Sequence, residues 1–578
     1  TIRRPCGINM FKRPLIAFGA CAFPFLFLTI AGYIGWPSNW YVNGLCPWET
    51  FHFLAIFSVI ACCILLHIAL DWIRIRRFKS VVLKIILCCV VIIALVQSPF
   101  ISDQMSLAFL NWHPRDIDAT LKPALALLES YNSQYEYRFG DNIAGVAALF
   151  NYWYYAVPQT KDYYAQGVLI PDWRYWLEKA VWERGNNYEE TNFLLDWFAV
   201  KWILTCDSYS REKFLNKPEY YLLGPVEKGR GGCCVFIYKY SSPIIVASNA
   251  TVLLVVGSDI GYSDVFRALA YSNFNSSCCI PIRGDESLTN YRLEDLKKFD
   301  VIILYGYRPR DRNRMWSLLR QYVTQGGGLI IDTGYSPDST SSFIPSPCPV
   351  EKTEGTAFGM VWNFSYVSSP ITNGIDFSAF SPPIYNGGPW GVSASYNMSV
   401  RPWARAILWD SGRPLIVIGE LGRGRVIWCG LNLPYHILSY HNYWESLLLA
   451  KMIQWVSGES EHKRGAIDFT VTRPNPECVI VTLNERAKGV LFKECYFRNW
   501  RAYLVDTKGR RIDLTIYRAG PDFMYVHMPS NSEITPPLRI VFEYDWAWDE
   551  IFGYAISATT FVALMVYAIG LPIHKQIK

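Results

Sequence analysis

Four stretches of the 578-residue chain, 14–36, 51–72, 81–97 and 551–573, are almost wholly apolar. Runs of about twenty such residues are long enough to cross a bilayer as helices. Between the third and fourth runs the pattern changes to short periodic segments. TVLLVVGSD is an unbroken apolar run closed by Gly257, which predicts a strand buried on both faces. YSDVFRALAYSNF follows at helical spacing, then CCIPI, the charged helix LEDLKKF and a second buried strand, DVIILYGY. The amphipathic helix DRNRMWSLLRQYVTQ is stopped by Gly326, Gly327 and Gly328 before the strand LIIDTG. Strands alternating with helices at this spacing predict a parallel sheet with right-handed crossovers. RPLIVIGELGRGRVIWCGLN predicts a hairpin turned at Gly422 and Gly424, and NYWESLLLAKMIQWV a closing helix.

The remaining segments read differently. The Ser/Pro/Gly-rich stretch 336–411 has few helix signals and is expected as an insertion on one edge of the sheet. From 466 to 544 the period is two and turns are closely spaced, which predicts an all-β sandwich. The expected domains are three transmembrane helices (1–99), a mixed α/β domain (100–245), an α/β domain (246–460), the sandwich (463–546) and a final transmembrane helix with a basic tail (547–578).

Charge orients this arrangement. Arg3, Arg4, Lys12 and Arg13 precede the first run, Arg74, Arg76, Arg77 and Lys79 separate the second from the third, and Lys575 and Lys578 follow the last. Basic residues stay on the cytoplasmic side, so both termini are expected in the cytoplasm and the bulk of the chain outside. A cleaved signal peptide fits the first run less well, because the run is too long and lacks a small-residue cleavage site. Trp36, Trp40, Tyr41 and Trp48, with Trp546, Trp548 and Tyr554, read as interfacial anchors. His52, His67, Asp71 and Lys84 lie within spans; all but His67 are near enough to an end to snorkel. The net charge of +6 is spread along the chain, which argues against nucleic acid as a partner. Membrane lipid and further membrane subunits are the expected partners.

An outer location gives meaning to the sequons at Asn249, Asn275, Asn363 and Asn397, with Asn249 crowded by the strand that follows. An oxidising exterior also admits disulfides. Cys478 could meet Cys495, Cys206 could meet Cys233 or Cys234, and Cys278 or Cys279 could meet Cys348; buried thiols are the alternative. The 16 cysteines form no C-x-x-C pair, so no zinc site or other cofactor is expected. His441 and Glu445 share a helical face with His436 nearby. Lacking a third convincing ligand, they read as capping and interface residues.

Two resemblances sharpen this reading. QYVTQGGGLIIDTG resembles the class I glutamine amidotransferase-like fold, which implies a flavodoxin-like sheet. Active members carry a cysteine at a strand-to-helix elbow, in a G-x-C-x-G pattern, and a partner histidine. Here the strand ends Asp332-Thr333-Gly334-Tyr335, and Cys429 lies inside the strand RVIWCGLN, so no catalytic residue is assigned. FLLDWFAVKWIL, through Leu194, Leu195, Val200, Lys201 and Trp202, resembles the outer domain of YfhO-like membrane proteins and their archaeal relatives, as does VPQTKDYYAQG. The segment around Phe497, Trp500, Ala502, Asp506 and Gly509 resembles their terminal β-sandwich. These proteins belong to the GT-C glycosyltransferase superfamily, whose catalytic acid sits on the first outer loop. The loop here holds Glu49 as its only acid. The resemblance therefore implies a non-catalytic accessory or structural subunit of a membrane assembly. An outer-surface glycan- or peptide-binding module is the alternative, and a GT-C glycosyltransferase with an unrecognised site the second alternative.

Overall fold

The computed structural model describes residues 128–130, 136–141, 158–160, 171–182 and, with short interruptions (206–207, 226–233, 273, 342, 459–466, 476, 530–534, 547 and 549–550), 187–553. Positions 555, 556 and 559 complete the described set. The first three apolar runs and most of the fourth lie outside the described residues, as do His52, His67, Asp71, Lys84 and Glu49. Among the described residues no helix is long and apolar enough to cross a membrane.

The chain divides into two compact units, 1–183 with 202–238, and 184–201 with 239–578. In the first, strands β1 (Arg138–Asp141), β2 (Val200–Thr205), β3 (Tyr220–Pro225) and β4 (Cys234–Tyr238) form a sheet in the order β1-β2-β4-β3. Helix α1 (Pro171–Trp182) belongs to this unit, whereas α2 (Tyr188–Trp197) falls in the second and α3 (Ser208–Phe214) again in the first. Trp182 meets Phe214 edge to face, with ring centroids 6.3 Å apart.

The second unit is built on a twelve-stranded sheet. Its opening strands are β5 (Ile245–Ser248), β6 (Thr251–Val256), β7 (Cys279–Arg283), β8 (Val301–Leu304) and β9 (Gly328–Asp332). The 336–411 stretch then supplies β10 (Glu354–Ala357), β11 (Phe364–Tyr366), β12 (Ile384–Tyr385), β13 (Gly388–Pro389), β14 (Gly391–Ala394) and β15 (Ala404–Asp410). Next come β16 (Arg413–Leu421) and β17 (Gly424–Cys429). The parallel centre runs β7-β6-β8-β9-β17, so the five strands lie in the spatial order second, first, third, fourth, fifth. Every residue of β6, β8 and β9 is buried, as unbroken apolar runs in a two-sided sheet require.

Helices α4 (Asp259–Ala268), α5 (Leu293–Leu296), α6 (Arg312–Thr324), α7 (Leu433–Tyr440) and α8 (Tyr443–Ser457) accompany this sheet. Local chemistry sets the limits of α6. The Asp311 side chain caps it by accepting from Arg314 N at 3.0 Å. Met315, Trp316, Leu319, Tyr322 and Val323 form its buried stripe, each contributing roughly 1.5–3 kcal/mol on burial. Gly326, at φ +115°, turns the chain out of the helix. Gly327 lies against the Tyr322 ring, where a Cβ would come within 2.2 Å. The run of three glycines therefore does stop the helix and start the strand.

Beyond β17 the sheet turns antiparallel. The β16–β17 hairpin closes at Leu421↔Gly424, and β15 and β11 extend it, so residues of 336–411 form that edge. The all-β segment behaves less simply than its alternation suggests. Strands β18 (Phe469–Asn475), β19 (Cys478–Leu483), β21 (Trp500–Val505), β22 (Arg511–Leu514) and β25 (Leu538–Tyr544) form a separate five-stranded sheet. Strands β20 (Gly489–Cys495), β23 (Ile516–Ala519) and β24 (Phe523–His527) instead join the long sheet, with β5, through Ala519↔Ile282. The two sheets enclose one core. Val479, Val481, Leu504, Ile540 and Phe542 come from one side, and Val490, Phe492, Met524 and Val526 from the other. The sandwich thus shares a layer with the α/β sheet rather than standing apart from it.

Candidate functional site

In an open parallel sheet the crevice forms where the strand order reverses, outside the carboxyl ends of the strands. Here that place lies between β6 and β8. Gly257 follows β6, and a Cβ on it would stand 1.8 Å from the Tyr305 carbonyl oxygen, so the backbones approach as only glycine allows. Ser258 N donates to Gly306 O at 3.1 Å, while its hydroxyl caps α4 by accepting from Gly261 N at 3.1 Å. Gly306 has φ +66° and lies against the Tyr335 ring. The Tyr305 hydroxyl donates to Asn432 Oδ1 at 2.6 Å, and the Tyr305 and Tyr335 ring centroids are 5.6 Å apart. These side chains border the crevice, with Tyr305 buried and Tyr335 partly exposed.

The two residues closest to catalytic chemistry are also locked. Asp332 is buried at the end of β9, where it accepts from Leu433 N at 2.9 Å and Gly334 N at 2.8 Å. Burial pushes its carboxyl up to about 6 despite these two backbone donors. Cys429 sits opposite it in the β17–β9 register and is fully buried. Burial first, then the Asp332 carboxylate, pushes its thiol well above the usual value. A nucleophilic cysteine needs exposure and a depressed pKa; Cys429 has neither.

Of the histidine–glutamate group, the structure joins two members. His436 Nδ1 and Glu445 Oε2 are 2.7 Å apart, both residues are buried, and Glu445 Oε1 accepts from Ser381 N at 2.9 Å. The His436 ring is walled by Trp390, Tyr440 and Trp362, at centroid distances of 4.6, 4.9 and 6.0 Å. The pair thereby fastens the 336–411 insertion to α7 and α8. His441 instead ends α7 in the left-handed conformation, φ 54°, and packs on the Tyr271 ring at 5.1 Å. Among the described residues no group of three His, Cys, Asp or Glu side chains could hold a metal.

All four sequon asparagines are exposed. Asn249 accepts from Lys488 N, Asn363 N donates to Asp410, and Asn397 Oδ1 accepts from Trp409 Nε1 at 3.0 Å. Asn275 closes on its own sequon, accepting from the Ser277 amide and hydroxyl. Strand β6 does follow Asn249 closely, yet the residue is exposed. The cysteine pairings fare differently. Cys234, Cys348 and Cys478 are unbridged thiols, so the expected links to Cys206, to Cys278 or Cys279, and to Cys495 are not formed. Cys478 and Cys495 fall in different sheets, and Cys278 sits in a turn where its thiol donates to Asn275 O at 3.4 Å. Cys206 and Cys233 lie outside the described residues.

One polar cluster escaped the sequence reading. Lys493, in β20, is fully buried and donates to Asp196 O at 2.6 Å and Ser242 Oγ at 2.7 Å. Asp196 accepts from Ser242 N at 3.0 Å and Ser276 N at 2.8 Å. Its one visible signal is a lysine inside the apolar strand GVLFKEC.

No family model matches the chain, and no curated protein matches it significantly. Among solved structures, it is similar to a cytoplasmic protein of Salmonella typhimurium LT2 at TM-score 0.26 and 14% identity, over 36% of this chain and 99% of that one. It is similar to the N-terminal domain of mmIFT52 at TM-score 0.27 and 16% identity, over 37% and 100% of the two chains. A ThuA-like protein from Parabacteroides merdae ATCC 43184 gives TM-score 0.23 and 16% identity, over 38% and 92%. Likenesses at these scores carry no argument about function.

Proposed function

We propose that this chain is a non-catalytic, membrane-anchored outer-surface protein, an accessory or structural subunit of a larger membrane assembly. On this reading the parallel sheet is a class I glutamine amidotransferase-like scaffold that has lost its chemistry, joined to a YfhO-like terminal β-sandwich. The observation that carries it is the burial of Cys429 inside a strand. Its thiol is pushed up by burial, away from nucleophilic use, and the Tyr305–Asn432 bond and the Tyr335 ring border the carboxyl edge. The anchoring follows from the four apolar runs and their basic flanks.

The test is extraction in mild detergent followed by mass measurement and identification of what copurifies. The expected result is a stable complex with another membrane subunit. A lone monomer at every concentration, or glutamine-dependent ammonia release that disappears in Cys429→Ala, overturns the proposal.

A further inference from the structure

A cavity of about 300 Å³ in the second unit is lined by Asn187, Glu189, Tyr271, His441 and Tyr443. It lies away from the carboxyl edge of the parallel sheet, among the start of α2, the turn after α4 and the junction of α7 with α8. From these residues we infer a binding site for a small neutral carbohydrate, one or two sugar units long. The inference goes beyond the accessory role and holds whether or not the chain has a partner subunit.

The walls are rigid where they need to be. Asn187 caps α2 by accepting from Glu190 N at 3.2 Å, and its amide donates to the Tyr271 hydroxyl at 2.7 Å. Tyr271 is buried and backs the His441 ring. The left-handed backbone of His441 is fastened by its own N–H to Ile437 O at 2.6 Å. Against this frame stand three polar groups that make no hydrogen bond to any described residue. They are the Glu189 carboxylate, the His441 imidazole and the hydroxyl of Tyr443, a residue 52% exposed. Together they offer an acceptor, a group that can donate and accept, and a phenol beside an open aromatic face.

The chemistry selects the ligand. A sugar ring presents hydroxyls to polar groups on its rim and C–H bonds to an aromatic face, which matches this set. The volume stands at the small end of ligand sites, roughly 300–1,000 Å³, which excludes a lipid chain or a folded peptide segment. Glu189 repels phosphates and acidic sugars. An organic cation would need several open aromatic faces, whereas the Tyr271 ring is covered and only Tyr443 is open.

The test uses the full chain in a detergent without a sugar head group. Methyl glycosides of glucose, mannose, galactose and N-acetylglucosamine are titrated calorimetrically to about 20 mM, the range of millimolar affinities. At least one should bind saturably. Tyr443→Ala and Glu189→Gln, both at exposed positions, should each weaken it about tenfold, the scale of a stacking contact or a charged hydrogen bond. His441→Asn, which keeps the left-handed backbone accessible, should weaken it as well. Failure of all four glycosides to bind, or binding unchanged in the three variants, overturns the inference. Choline binding that Glu189→Gln abolishes overturns it in favour of a cation site. None of these results depends on what copurifies with the protein.

Discussion

Lys493 is the side chain whose removal should cost the second unit most for its size. Its ammonium is fully buried and donates to a helix carbonyl (Asp196 O) and to a linker hydroxyl (Ser242 Oγ). It also stands 3.9 Å from Asp196 Oδ1. Lys493→Met keeps most of the apolar stem but leaves Asp196 as a buried carboxylate without its cation. Breaking a buried pair from one side typically costs about 3–5 kcal/mol, far more than the pair adds when intact. Asp196 keeps the Ser242 and Ser276 amides, so the lower half of that range is expected. The damage should be local before it is global, because the cluster ties α2, the linker before β5 and the turn before β7 to β20. Hydrogen exchange followed by mass spectrometry on the full chain reads this directly. Amides of 188–197 and 489–495 should exchange roughly two to three orders of magnitude faster. Adding Asp196→Asn to Lys493→Met should restore part of the protection, since the orphaned charge is then gone. An acceleration below about fivefold, near 1 kcal/mol, or no recovery in the double variant, would refute the account.

Three further expectations are shorter. Burial, then Lys488 and Lys298, lowers the pKa of His527 from 6.5 to about 4. Because the folded value lies below the unfolded one, the stability this neutral imidazole contributes is complete above pH 6.5 and drains away as pH falls towards 4, by about 2–3 kcal/mol. Asp332, raised by burial to about 6, acts with the opposite sign in the same window, so melting midpoints of wild type and His527→Gln should be compared between pH 7 and 4; parallel curves would contradict the assignment. Gly257→Ala places a methyl 1.8 Å from the Tyr305 carbonyl oxygen and should break the Ser258–Gly306 link, lowering the thermal midpoint by at least the several degrees that about 2 kcal/mol produces; an unchanged midpoint would mean the two loops are not in contact. Glu445→Ala strips the acceptor from Ser381 N and His436 Nδ1, at a cost of about 2–3 kcal/mol, and should make the 336–411 insertion the first site of limited proteolysis; a wild-type cleavage pattern would count against its fastening role.

Much of the parallel centre was legible in the sequence, for a simple reason. A strand buried on both faces can only be a bare apolar run, and β6, β8 and β9 are such runs. Three consecutive glycines after α6 leave no alternative to ending the helix. The interior position of Cys429 was likewise readable from the apolar residues on either side of it. What failed were arguments from spacing alone. The i, i+4 relation placed His441 with Glu445, but the helix breaks at His441 and restarts at Tyr443, so Glu445 meets His436 instead. Alternation recognised the strands of 463–546 without saying which sheet each would join, because pairings such as Ala519↔Ile282 link residues far apart in the chain. Lys493 reads as one polar residue in a strand; its partners come from α2 and a linker, and no local pattern names them.

The shared layer also bears on how the protein is made. Strand β7 acquires its β23 neighbour, and β5 its β20 neighbour, only after about 240 further residues have been synthesised. At roughly 5–20 residues per second, the outer edge of β7 and the whole of β5 stand unpaired for about ten to fifty seconds. An exposed edge is a template for wrong pairing. That interval, more than any weakness in the finished sheet, is where truncation or slowed synthesis should drive the chain into aggregates.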